Sequence, residues 1–133
     1  MTPLVQRWPD ELAQRYREHG FWTGQTFPQL LEEQVRLHGD RIAVVGDGER
    51  WSYAELAARA ERLAAGLLAL GLAPGDRVVV QLPNRPVFLQ VCFALFRAGL
   101  IPVFALPAHR LTEVAHVARK ADARALIVAD RHD

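Results

Sequence analysis

Lysine is almost missing from this chain. Of its sixteen basic residues only Lys120 is a lysine, and fifteen acidic residues leave a formal net charge of +1. Without a basic excess there is no electrostatic footprint for nucleic acid or an anionic lipid surface, so neither is expected as a partner. Cysteine occurs once, at Cys92, inside an apolar run. That excludes a disulfide framework, fits a reducing cytoplasm, and makes Cys92 a small hydrophobe rather than a nucleophile. Uninterrupted apolar length is also in short supply: the longest run is broken by Gln90, Arg97 and Pro102, which argues against a membrane span. The opening "MTPLVQRWPDELAQ" lacks the basic lead and apolar core of a signal peptide. What remains is globular composition, half apolar and 23% charged over 133 residues, the size of one domain.

Local signals divide the chain into alternating elements. A short helix opens at Pro9 and closes at Gly20, and a second is capped by Thr26 with Gln29 three residues on and ends at Gly39. Two strand-like runs flank Gly46-Asp47-Gly48, the pattern of a hairpin. Ser52 and Glu55 form a Ser-x-x-Glu capping box before a helix whose Leu56, Ala60, Leu63, Leu67 and Leu70 repeat at helical spacing, with Gly71 as its stop. "RVVVQL" is a β-branched run of the kind buried on both faces of a parallel sheet. A helix from Pro86 to about Ala98 is apolar nearly all round and is expected to be deeply buried, with Gly99 as its stop. "LIPVFAL" returns as a strand. "LTEVAHVARKAD" is a helix with Leu111, Val114, Val117, Ala118 and Ala121 on one side, and "RALIVAD" closes as a strand. Strand–helix–strand–helix–strand from residue 77 onward implies right-handed crossovers. The expected fold class is therefore α/β, an open and mainly parallel sheet with flanking helices, preceded by N-terminal helices and a β-hairpin.

Candidate chemistry is sparse. The Gly46/Gly48 pair precedes a β-run and has no lysine nearby, so it reads as a turn and not as a phosphate cradle. His109 and Arg110 fall in the turn after Pro107, at the carboxyl end of a presumed parallel strand, where open sheets bind ligands. The same turn also needs polar groups to satisfy a helix N-terminus. His116 shares a polar face with Glu113 and Lys120, His19 and His38 lie in last helical turns that favour a partly charged imidazole, and His132 is in the tail. No histidine pair sits at metal-ligand spacing with a carboxylate or cysteine.

Three stretches together resemble the adenylate-forming (AMP-dependent synthetase/ligase) family. "WSYAELAARAERLAAGL" is similar to the motif Leu-Thr/Ser-Tyr-x-Glu-Leu, matched by Ser52, Tyr53, Glu55 and Leu56 with Trp51 in place of leucine. "LFRAGLIPVFALP" resembles the second motif through Leu95, Ala98 and Gly99, while Phe96, Arg97 and the order Pro102-Val103 depart from it. The "LPAHR" turn and the N-terminal "RWPDELAQRYREHGFWTGQTFPQLL" are similar to stand-alone aryl acid–AMP ligases of siderophore pathways. The resemblance spans about Leu4 to Asp133.

Such a resemblance implies activation of 2,3-dihydroxybenzoate or salicylate with ATP and Mg²⁺, then transfer to the phosphopantetheine thiol of an aryl carrier protein. The family's phosphate loop, acidic metal ligand, ribose-binding aspartate and C-terminal lysine are not matched here, and Lys120 reads as a solvated lysine. Residues 1–133 are therefore expected to be an N-terminal segment of the domain, with the rest of the N-terminal domain and the C-terminal domain absent. No catalytic, cofactor-binding or metal residue is expected among them, and the segment alone is expected to be inactive and to bind no cofactor. The competing readings are a piece of an aryl- or fatty-acyl-CoA ligase and a short non-catalytic binding module. A piece of an open sheet should expose apolar surface and be marginally stable or self-associate when alone.

Overall fold

The computed structural model describes residues 8–129. His132, and the Leu4 and Arg7 positions of the N-terminal resemblance, lie outside them. The elements run in the order α1 (Asp10–Glu18), α2 (Phe27–His38), β1 (Ile42–Gly46), β2 (Glu49–Ser52), α3 (Tyr53–Ala69), β3 (Arg77–Gln81), α4 (Pro86–Arg97), β4 (Ile101–Phe104), α5 (Leu111–Ala121) and β5 (Ala123–Val128). Strands β1 and β2 pair antiparallel, while β3 lies between β4 and β5 in a three-stranded parallel sheet. The expected α/β class and crossover order are what the fold shows.

The capping signals act as the sequence implies. Thr26 and Ser52 each accept the backbone N–H of the residue three positions on, and the Gln29 and Glu55 side chains accept in return from the cap N–H. Gly20, Gly71 and Gly99 all have positive φ. At each, the glycine and the residue after it donate back into the last helical turn. Gly39 is different: its φ of −47° is right-handed, so α2 does not end by a left-handed glycine. A Cβ there would lie 2.9 Å from the Val35 carbonyl oxygen, so glycine is present because the backbone approaches closely. The hairpin turns on Asp47 and Gly48, both with positive φ, which matches the right-handed twist of the strands.

Val78, Val79 and Val80 are completely buried, and their alternation splits the core. Val78 and Val80 pack with Ala60, Ala64, Leu67, Val91 and Leu95 from α3 and α4. Val79 faces the other way, onto Val114 and Ala105. Leu31, Val44, Trp51 and Leu56 form a separate cluster that joins α2 and the hairpin to α3. The Arg59 guanidinium lies 4.3 Å over the Trp51 ring. Arg97 at the end of α4 pairs with Glu32 on α2 and, at 2.8 Å, with Glu61 on α3. These carboxylates, the Glu32 hydrogen bond first, raise its pKa further.

The expected deep burial of α4 is corrected, and two leucines of the helical spacing patterns lie outside the core. Leu70 is 82% exposed because it is the C-cap of α3, one residue past the last turn that meets the sheet. Leu111 is 84% exposed at the first position of α5, before the helix reaches β3. Helix α4 is buried on the side toward α3 and the sheet, but Val87 and Leu89 on its other side are exposed. "LIPVFAL" contributes only Ile101–Phe104 to the ladder, with Pro102 tolerated because β4 is an edge among the described strands.

Candidate functional site

Strands β3, β4 and β5 are parallel, so Gln81, Phe104 and Val128 bring their carboxyl ends to one edge, where open α/β sheets bind ligands. The turn that contains His109 and Arg110 crosses this edge. Ala105 still donates to the Val80 carbonyl at 2.9 Å, and the chain then leaves the sheet. A backbone bond from His109 N–H to the Leu106 carbonyl, 3.0 Å, closes the turn. The Leu106 N–H donates to His109 Nδ1 at 3.3 Å. From β3, Gln81 Nε2 donates to the carbonyls of Leu106 (3.0 Å) and His109 (2.8 Å), tying the turn to the centre of the sheet.

Helix α5 starts immediately afterwards. The Glu113 carboxylate accepts from the Arg110 N–H at 2.9 Å. Bonds from its own N–H and from that of Arg110 hold its carboxyl below the usual range. The cap is one-sided, since a guanidinium has no acceptor to return the bond. Because the folded-state value is depressed, the contribution is present above the ordinary carboxylate range and is lost as pH falls through the folded value. Between this helix start and β5 runs an open groove of about 360 Å³, lined by Gln81, His109, Arg110, Val114, Leu126 and Val128.

The groove brings His109 and Arg110 together with Gln81, but both rim residues have structural work: His109 closes the turn and the Arg110 backbone caps α5. The other sequence candidates are scattered. Cys92 is buried on α4, and burial pushes its thiol up, so it stays protonated. Gly46-Asp47-Gly48 is a hairpin turn whose Asp47 pairs with Arg85 at 3.2 Å. His116 and Lys120 are exposed on α5. His19 caps α1, its Nδ1 2.8 Å from the Arg15 carbonyl.

Among the described residues, no group of three or more His, Cys, Asp or Glu could hold a metal ion. The starts of α3 and α5 are taken by Glu55 and Glu113. No step of a reaction is assigned to these residues.

Residues 31–133 match the model of the family described as AMP-binding enzyme. The chain belongs to that family. This AMP-binding enzyme sequence is 52% identical to a 2,3-dihydroxybenzoate-AMP ligase of Bacillus subtilis, over 94% of its own length and 23% of that protein's. It is 47% identical to a salicyl-AMP ligase / salicyl-S-ArCP synthetase of Mycobacterium tuberculosis, over 92% of its length and 22% of the relative's. The apo structure of MbtA from Mycobacterium smegmatis superposes with a TM-score of 0.92 at 47% identity, covering 96% of this chain and 24% of that one. The chain thus spans about a quarter of the length of the relatives it matches.

Two polar residues that tie the three-stranded sheet to its surroundings were not evident in the sequence. Gln81 is one; a lone amide at the end of "RVVVQL" was the only signal. Arg77 is the other. Its Nε donates to the Ala121 carbonyl (2.8 Å), and its Nη2 donates to both the carbonyl and the carboxylate of Asp122 (each 2.7 Å), at the corner between α5 and β5. Asp122 itself adopts φ +49° there. The Arg77 side chain is only 17% exposed, so Arg77→Met should lower stability by about 2 kcal/mol through lost charge-assisted bonds. Urea unfolding checks this; a midpoint shift with an unchanged slope is expected.

Proposed function

We propose that residues 1–133 are the N-terminal segment of an aryl acid–AMP ligase domain, the rest of its N-terminal domain and a C-terminal domain being supplied by further sequence. In this reading the complete protein activates 2,3-dihydroxybenzoate or salicylate with ATP, in the presence of Mg²⁺, to an aryl-adenylate with release of pyrophosphate. It then passes the aryl group to the phosphopantetheine thiol of an aryl carrier protein, in siderophore biosynthesis in the cytoplasm. No described helix is long and apolar enough to cross a membrane, which is compatible with that setting. The observation that carries the reading is the likeness to two named aryl acid–AMP ligases across more than nine-tenths of this chain. This chain's own part is scaffolding: β3 to β5 and the turn held by Gln81 form an edge on which the remaining domain would build its substrate site. No catalytic, substrate-contacting or metal role is given to any of its residues.

The test is ATP–pyrophosphate exchange by the complete protein. Exchange should depend on added salicylate or 2,3-dihydroxybenzoate, and residues 1–133 alone should give none. Exchange driven only by fatty acids would replace the aryl reading, and exchange by the short chain would overturn the placement of the active site outside it. The acceptor is read by mass spectrometry: an aryl adduct on the carrier protein is expected, and an adduct on free coenzyme A alone would contradict the carrier assignment.

A further inference from the structure

The Leu106–Arg110 turn contains one bond whose existence depends on the charge state of a side chain. The Leu106 N–H donates to His109 Nδ1, so that nitrogen must offer a lone pair, which places the ring proton on Nε2. An imidazolium has no lone pair. Protonation would set an N–H at Nδ1 against the Leu106 N–H, and that bond would be lost. The remaining links do not titrate: His109 N–H to the Leu106 carbonyl, and Gln81 Nε2 to the carbonyls of Leu106 and His109.

We propose that His109 is a pH-sensitive latch at the carboxyl edge of the sheet, closed when its imidazole is neutral and opened by protonation. Opening frees the Leu106 amide and leaves a cationic ring at the rim of the groove between α5 and β5, while Gln81 keeps the backbone of the turn tethered to β3. The groups around the ring are few. From the start of α5 comes the Glu113 carboxylate, which interacts electrostatically with His109, and Arg110 adjoins it. From β3 comes the uncharged Gln81 amide, and β5 presents Leu126 and Val128. No other ionisable side chain lines the groove among the described residues. Glu113 titrates below the usual carboxylate range, so its charge stays constant while an imidazole gains a proton. It can balance the cation in the open state.

The latch does not depend on the proposed ligase activity and is tested without it. Residue-resolved amide exchange, corrected for intrinsic rates, is measured on the complete protein as pH is lowered from about 8 to about 5, the range in which imidazole gains its proton. The Leu106 amide should lose about three- to tenfold protection, the change expected of one hydrogen bond. The neighbouring Ala105 amide, bonded to the Val80 carbonyl in the sheet, should keep its own. His109→Asn supplies a side-chain oxygen that accepts but does not titrate, so Leu106 should remain protected across the whole range. His109→Leu should leave Leu106 unprotected at every pH. Constant protection of Leu106 in the wild type overturns the latch. So does a His109→Asn variant that follows the wild-type curve, or loss at Ala105 in step with Leu106.

Discussion

Leu95→Ala should destabilise the fold by about 3 kcal/mol, within the range of 2–5 kcal/mol seen for buried leucines. Leu95 has no exposed surface and sits on α4 in the core cluster that includes Ala60, Ala64, Leu67, Val78, Val80 and Val91. Two terms add. The first is the transfer of the isobutyl group from water, and the second is the cavity that remains when the surroundings cannot close over it. Here collapse is difficult. The alanines of this cluster each carry a single methyl that cannot rotate inward, and Val78 and Val80 belong to the central strand β3, held by ladders on both sides. Filling the void would require α3 or α4 to move as a body. Leu95→Met keeps the volume and should cost less than about 1.5 kcal/mol. Urea midpoints of the two variants, compared at constant slope, make the check. A Leu95→Ala loss no larger than that of Leu95→Met would mean that the α3–α4 layer is loosely packed on the sheet.

The sequence carried more of this fold than of its edge chemistry, for reasons visible residue by residue. Helix ends are local events. Ser52 and Glu55, three residues apart, decide their own bonds, and glycines such as Gly71 decide the next two, so these were legible without any tertiary knowledge. The valine run was legible because a strand buried on both faces leaves no polar position in its alternation. Leu70 and Leu111 fit the helical spacing yet are exposed, because spacing says which direction a residue points, not whether the sheet extends far enough to cover it. Arg77 and Gln81 were illegible for another reason. Each bonds to backbone carbonyls more than 20 residues away in sequence, and a carbonyl is present at every residue, so no side-chain pattern marks the partner. The turn around His109 lay between these cases. Its position at the strand end could be read, and the family likeness rested partly on it, but the acceptor role of Nδ1 depends on a turn geometry that no spacing rule encodes. The motifs on which the family resemblance rests are packing motifs, Ser52 and Glu55 capping α3 and Gly99 stopping α4, so no catalytic role was read from them.

Gly99→Val should be nearly as costly as the loss of Leu95, and by a different route. Gly99 follows α4 with φ +70°, where its N–H donates to the Phe96 carbonyl and the next N–H, of Leu100, donates to the Leu95 carbonyl. These two bonds are the helix stop that turns the chain into β4. A β-branched residue in that left-handed region costs about 1–2 kcal/mol in backbone strain alone. Space is short as well. A Cβ at Gly99 would lie 3.1 Å from the Pro74 Cβ, and the Gly99 carbonyl is fixed at 2.8 Å from the Gly75 N–H, so the two turns cannot simply move apart. Overpacking of this kind adds about 1–3 kcal/mol, for a total of roughly 2–5 kcal/mol. Gly99→Ala separates the contributions, since it brings the Cβ contact and a smaller backbone penalty without the branch. Pro74→Ala in the same background tests the contact further, because it shortens the pyrrolidine to a methyl but leaves the Cβ that Gly99→Ala must meet. If strain in φ dominates, Pro74→Ala recovers none of the loss in Gly99→Val; if the branch is crowded by the ring, it recovers part. A Gly99→Val variant that unfolds at the wild-type urea concentration would show that the chain can leave α4 by another path, and the tight stop between Phe96 and Leu100 would lose its structural role.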